Sequence, residues 1–230
     1  MTDKLRMEIC RAVEVLNGWC TPGKAVMLAE EIEQMDARLC VEIGVFAGRS
    51  LIPMAMMLRE LGHGGKVVGI DPWTSEASRE GYAGANAQWW GEVVDHEAVY
   101  QMFLASVDKE GVIGQVEIIR AKSDDVCPPD NIDLLHIDGQ HTPQAIRDVA
   151  RYAPRVRRGG IVCLDDMNWS NDGDMPVKTA AERLLDFGFV EKYPVGTGAV
   201  FVRMRLITPA NAEGESELPN TAATVQSSGN

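Results

Sequence analysis

The chain has 230 residues, 45% of them hydrophobic and 24% charged, and its 34 Asp+Glu against 22 Lys+Arg give a formal net charge of -12. That length supports one well-buried core, and the acidic balance disfavours a nucleic-acid or anionic-lipid surface, because phosphate binding needs a basic field. Single cysteines at Cys10, Cys20, Cys40, Cys127 and Cys163, the absence of a signal-peptide core in MTDKLRMEICRAVEV, and apolar runs far short of the ~20 residues that span a bilayer together predict a reduced, cytoplasmic protein with no membrane partner.

Residues 1–38 read as helices, the second capped by Thr21 with Pro22 at its first position. A strand–helix rhythm then begins. LCVEIG (39–44), KVVGID (66–71), VEIIRA (116–121), DLLHID (133–138) and GGIVCLD (159–165) read as strands, with GRSLIPMAMMLREL and TPQAIRDVARYAPRV as helices. Near the end, VKTAAERLLDFG reads as a helix stopped by Gly188. FVEKYPVGTGAVFVRM then gives two strands separated by PVGTG, either an antiparallel edge of the sheet or a detached hairpin. The expected fold is α/β: a doubly wound, mostly parallel, seven-stranded Rossmann-like sheet with a C-terminal antiparallel hairpin. The expected boundaries are one domain over 1–206 and an acidic, disordered tail over 207–230. The segment 72–115, with Trp73, Tyr82, Trp89 and Trp90, breaks the rhythm and is expected to be a lid over a ligand or a homodimer contact.

Candidate chemistry gathers at strand ends. In VEIGVFAGRS, Gly44 and Gly48 let backbone approach a ligand, or simply make a tight strand-to-helix turn. Phe46 stands where a dinucleotide motif wants its second glycine, and Glu42 adds negative charge, so a diphosphate is disfavoured; no Gly-Lys-Ser/Thr follows, which excludes a P-loop. Asp71 can accept ribose hydroxyls or cap the next turn, while Ser123 and Asp124 can meet an adenine edge or cap a turn of their own. Asp138 closes one strand, and Asp165 and Asp166 close another. Neighbouring strands lie about 4.8 Å apart, so three carboxylates converge and invite a divalent hard cation. The alternatives are turn capping and an ion pair to Arg147 or Arg158, and Asn168 is a further oxygen ligand or a turn former. His141, three residues after Asp138, can take a proton from a hydroxyl, whereas His136 reads as a packed core residue and Trp169 as a pocket wall or core. Cys163 and Cys127 have no partner base.

With these residues in place, about 20–206 resembles the class I S-adenosylmethionine-dependent methyltransferases. It is most similar to the small metal-dependent O-methyltransferases grouped with macrocin O-methyltransferase and the cephalosporin-hydroxylase-like proteins. VEIGVFAGRS, VVGIDPW and above all DLLHIDGQHTPQAIRDVARYAPRVRRGGIVCLDD carry the resemblance. It implies that Glu42, Gly44 and Gly48, joined by Ser50, hold the methionine part of the cofactor and that Asp71 holds its ribose. It further implies Mg²⁺ or another divalent cation on Asp138, Asp165 and Asp166, His141 and Asp138 as catalytic residues, and a small-molecule acceptor with a hydroxyl or vicinal diol. Pro143 stands where relatives carry an aromatic residue. Metal-independent methyl transfer, a nicotinamide-dependent oxidoreductase and a non-enzymatic binding protein are the competing readings.

Overall fold

A computed structural model describes residues 1–170 and 173–204. The acidic segment 207–230 lies outside the described residues.

Seven strands form one sheet in the order β3-β2-β1-β4-β5-β7-β6. β1 (Leu39–Ile43), β2 (Lys66–Ile70), β3 (Val116–Ile119), β4 (Ile132–Ile137) and β5 (Val156–Leu164) pair in parallel. β6 (Phe189–Val195) and β7 (Gly198–Arg203) form the hairpin, and β7 adds antiparallel to β5, so the hairpin is part of the sheet. Its turn is tighter than expected, because Pro194, Val195 and Gly198 stay in the ladder and leave only Gly196 and Thr197 between the strands.

Helices cover both faces. α1 (Asp3–Val15), α2 (Pro22–Met35) and α3 (Leu51–Leu61) build one apolar layer, where Ile9, Leu28, Ile32, Met54 and Met57 are fully buried. Thr21 caps α2 by accepting from the Lys24 amide at 3.2 Å, with Pro22 in the first turn. α7 (Pro143–Tyr152) and α8 (Pro176–Asp186) cover the other face around Val149, Tyr152, Leu184 and Phe189. The strand interiors are buried on both sides and read as continuous apolar runs, as parallel sheets require. No described helix is long and apolar enough to cross a membrane.

The segment between β2 and β3 folds as α4 (Ser75–Arg79), α5 (Gly84–Gln88), a π-helical turn (Trp89–Val93) and α6 (His96–Lys109). Trp73, nearly fully buried, stacks on Phe103 of α6 with ring centroids 5.6 Å apart and anchors this segment to the main body.

Candidate active site

Register determines which side chains meet. Ile70 of β2 pairs with Ile43 of β1, Ile43 with Ile137 of β4, and Ile137 with Leu164 of β5. The next residue of each strand is therefore a member of one row along the carboxyl rim: Asp71, Gly44, Asp138 and Asp165. Backbone hydrogen bonds hold the row, from Gly44 N to Ile70 O, Asp138 N to Ile43 O, and Asp165 N to Ile137 O, at 2.9–3.2 Å. The row crosses the point between β1 and β4 where the strand order reverses, which is where ligands bind in open α/β sheets.

On the β1–β2 side, Asp71 is a clamp. Its Oδ2 accepts from the Val45 and Phe46 amides at 3.0 Å each, and its Oδ1 accepts from the Trp73 amide at 2.8 Å. Phe46 and Trp73 have φ of 51° and 44°, left-handed values rare for bulky residues. One carboxylate thus holds two strained residues in place. Burial pushes the Asp71 pKa up, and the three amides oppose that rise. Trp73 reinforces the clamp by donating Nε1–H to Phe46 O at 2.8 Å.

The two glycines serve the protein's own packing. Gly44 has φ +85°, and a Cβ there would lie 2.4 Å from Asp138 O; at Gly48, φ +80°, it would lie 2.6 Å from the Phe103 ring. Glu42 is fully buried beneath the loop, because its register partner in β4 is His136. Glu42 Oε1 accepts from the Ser50 hydroxyl and lies 2.7 Å from His136 Nδ1, while Glu42 Oε2 and His136 Nε2 are buried without a hydrogen-bond partner. His136 is fully buried, as expected of a packed core residue, and it also belongs to a polar chain under the rim. Ser123 is turned inward, donating to Asp148 Oδ1 at 2.5 Å, and Asp124 faces Arg147 and Arg151 at 3.4 and 3.9 Å. Both belong to the seam between the β3–β4 connection and α7. Arg147 is thereby used there, and Arg158 donates to Met204 O, so neither arginine answers the rim acids.

The rim acids meet a different cation. Lys24, on the first turn of α2 and only 7% exposed, forms an ion pair with Asp165 Oδ2 and stands 3.7 Å from Asp138 Oδ2. Burial disfavours the charge on Lys24, yet Asp138 and Asp165 hold its pKa above the usual lysine value. Burial drives Asp138 well above the normal carboxylate range, with Lys24 pulling it back. Asp165 goes the other way: burial raises it, but Lys24 and the hydrogen bonds it receives bring it below.

Asp166 is in the left-handed region (φ 51°), its amide bonded to Asp165 Oδ1 at 3.2 Å and its Oδ1 accepting from the Thr197 hydroxyl at 2.9 Å. Its other oxygen faces His141 Nε2 at 3.3 Å. Burial lowers the His141 pKa, opposed by Asp166 and Asp165, so the imidazole is held toward its neutral form. Trp169 lies against it, ring centroids 5.1 Å apart. Possible ligand atoms fall into two close sets sharing Asp138: an inner one of His136, Asp138 and Asp165, and an outer one of Asp138, His141 and Asp166.

The insertion holds the loop that carries His141. Gln140 donates to Ala77 O and to Glu80 O, and Tyr82 accepts from the His141 amide at 2.8 Å. Thr142 then caps α7, accepting from Gln144 N at 3.3 Å, and Pro143 begins the helix where its missing N–H is harmless. Over the β1 loop, Phe46, Trp19, Trp89 and Trp90 make a ring cluster with centroids 4.7–6.1 Å apart. Trp19 remains 67% exposed.

Residues 41–167 match the family model described as a methyltransferase domain. No curated protein matches the chain. Among solved structures, the O-methyltransferase TomG from Streptomyces achromogenes, involved in tomaymycin synthesis and crystallised with S-adenosylmethionine, superposes with TM-score 0.58 at 16% identity, covering 89% of this chain and 92% of that one. The Bacillus cereus O-methyltransferase bound to S-adenosylhomocysteine gives the same score, identity and coverage. The O-methyltransferase NovP gives 0.61 at 20% identity over 80% and 79%. These likenesses establish the fold, and the family model spans more than half of the sequence: the chain belongs to the methyltransferase-domain family and has the class I S-adenosylmethionine-dependent methyltransferase fold.

Proposed function

We propose that the protein is an S-adenosylmethionine-dependent O-methyltransferase acting on a hydroxyl of a small molecule, with a divalent cation held at the acidic rim. The observation that supports it is the single row Asp71, Gly44, Asp138 and Asp165, which puts a cofactor crevice and an acid cluster side by side at one switch point. The names of TomG and the Bacillus cereus enzyme, both O-methyltransferases bound to this cofactor or its product, favour the same chemistry.

The residues fit both groups. Beneath the β1 loop, the orphaned Glu42 Oε2 and His136 Nε2 give the crevice floor unsatisfied polar atoms. At the rim, hard oxygen donors from Asp138, Asp165 and Asp166 suit Mg²⁺ or a similar ion, and three carboxylates less the one ammonium of Lys24 leave the charge that one divalent cation neutralises. When bound, the cofactor supplies an electrophilic methyl group and the cation acidifies a substrate hydroxyl.

This chain's residues would do the rest. Asp71 fixes the loop that faces the cofactor, through the Val45 and Phe46 amides. His141, held neutral, takes the hydroxyl proton at Nε2, and Asp166, 3.3 Å away, stabilises the imidazolium that results. Tyr82 and Gln140 keep that loop under the insertion, which limits water at the reacting atoms. Orientation of this kind is worth up to ~7–11 kcal/mol of the barrier.

Calorimetry with S-adenosylhomocysteine and with NADH tests the reading: the first binds and the second does not. Binding of NADH alone would refute it in favour of the oxidoreductase. A metal-independent methyltransferase is the second reading, and the ion pair between Lys24 and Asp165 is what favours it. Turnover undiminished in chelator would select it.

A further inference from the structure

The two sets of ligand atoms at the rim are not equivalent. The inner one, His136, Asp138 and Asp165, already faces an ammonium: Lys24 is paired with Asp165 Oδ2 and is 3.7 Å from Asp138 Oδ2. In the outer one, Asp138, His141 and Asp166, Lys24 reaches only the shared Asp138; Asp166 and His141 face no lysine or arginine among the described ion pairs, and His141 Nε2 is buried with no hydrogen-bond partner. Lys24 also comes from outside the family-matched segment, since α2 precedes residue 41. It is separated from Asp165 by 141 residues, and its side chain is more buried than those of the acids it meets. A long flexible side chain gives up considerable rotamer freedom to be held this way, which a solvent-facing lysine would not.

We infer that Lys24 is a positioning residue that acts as the resident cation of the inner half of the rim, fixing Asp165 and Asp138 and confining any exogenous divalent cation to the outer half at Asp138 and Asp166, beside His141. The inference rests on the reading of the rim as a cation site. Physically, an ammonium against Asp165 removes the repulsion between the two innermost carboxylates without a metal. It also leaves Asp165 Oδ1 free to hold the Asp166 amide, at 3.2 Å, and through it the left-handed turn that presents Asp166 to His141.

The test uses the full chain with Mn²⁺ as probe, counting bound metal by electron paramagnetic resonance and recording thermal melts with and without metal. Wild type takes up about one Mn²⁺, and Asp166→Asn loses it. Lys24→Met leaves two buried carboxylates uncompensated, so its metal-free melting temperature falls by about 10 °C. Mn²⁺ restores it, and the stoichiometry rises to about two. The double variant Lys24→Met/Asp165→Asn removes both ends of the pair, so it melts near wild type without metal and returns to about one Mn²⁺, even if the single variant does not fold. Unchanged stoichiometry in Lys24→Met together with melting that Mn²⁺ does not rescue would overturn the inference, as would a double variant no more stable than the single one. Failure of wild type to bind Mn²⁺ at all would sink the divalent-cation reading instead. The melts of the single and double variants would still report whether Lys24 holds the acids.

Discussion

Replacing Asp71 by alanine separates two roles for one carboxylate. The side chain accepts from three backbone amides, those of Val45, Phe46 and Trp73, at 2.8–3.0 Å. A buried donor left without its partner costs about 1–3 kcal/mol. Water reaching part of the loop brings the total for three toward the low end, roughly 4 kcal/mol. For a chain of this size that is about 10 °C in melting temperature. The loop would also relax, because the left-handed conformations of Phe46 and Trp73 persist only while their amides are held. We therefore expect Asp71→Ala to lose roughly 10 °C in ligand-free thermal melts and to bind S-adenosylhomocysteine at least roughly tenfold more weakly by calorimetry. Asp71→Asn keeps one acceptor oxygen and should fall between. An alanine variant that melts within about 2 °C of wild type yet loses the ligand would refute the clamp and leave Asp71 as a cofactor contact only.

Asp148 gives a pH prediction. Burial raises its pKa from 3.8 to about 6, against the hydrogen bonds from Ser123 and Gln144. A group raised on folding stabilises fully below its unfolded value and loses that contribution as pH climbs through its folded one, so here the loss runs from about pH 4 to just above 6. The difference is at most roughly 3 kcal/mol, and Asp148→Asn, which can still accept from Ser123, should be more stable than wild type in urea at pH 7.5 but not at pH 4. A variant less stable at both would count against it. Gly44→Ala brings a methyl to 2.4 Å from Asp138 O at φ +85°, so its melting temperature should fall sharply and its soluble yield with it. His141→Gln should cut turnover by roughly 10²–10⁴-fold while S-adenosylhomocysteine affinity stays unchanged; equal losses in both would assign His141 to binding.

Much of the site was legible because parallel strands end abruptly. A short apolar run with an acid at its last position marks both the strand and the rim, which is why Asp71, Asp138 and Asp165 could be expected together, and the register of Ile43, Ile70, Ile137 and Leu164 puts them in one row. Thr21 and Pro22 likewise announced α2, and Thr142 with Pro143 explains why the helix after His141 starts cleanly without an aromatic residue. What sequence could not supply is contact across the sheet. Glu42 was expected at the ligand crevice and His136 in the core, where it is fully buried, but that strand order pairs the two directly was not legible. Lys24 went unseen because a lysine in the first turn of an amphipathic helix looks like solvated surface until the helix is docked beside Asp165. Ser123 and Asp124 were placed by local loop chemistry, and α7 claimed them instead. Their signal lay in Asp148, a charged residue on the buried side of that helix.

The rim carboxylates are also structural parts, and this limits what they can offer a ligand. Three residues outside glycine with left-handed backbone, Phe46, Trp73 and Asp166, lie on this rim, and the amide of each is bonded to Asp71 or Asp165. An ionised carboxylate has about four lone-pair sites. Asp71 uses three of them on backbone amides, two at Oδ2 and one at Oδ1, so a single site at Oδ1 is left. It can therefore take one hydroxyl hydrogen but not both of a ribose diol. The second hydroxyl would need another acceptor. On the proposed reading, the loop conformation that Asp71 enforces at the β2 end of the row, more than its own charge, would shape the crevice for a cofactor.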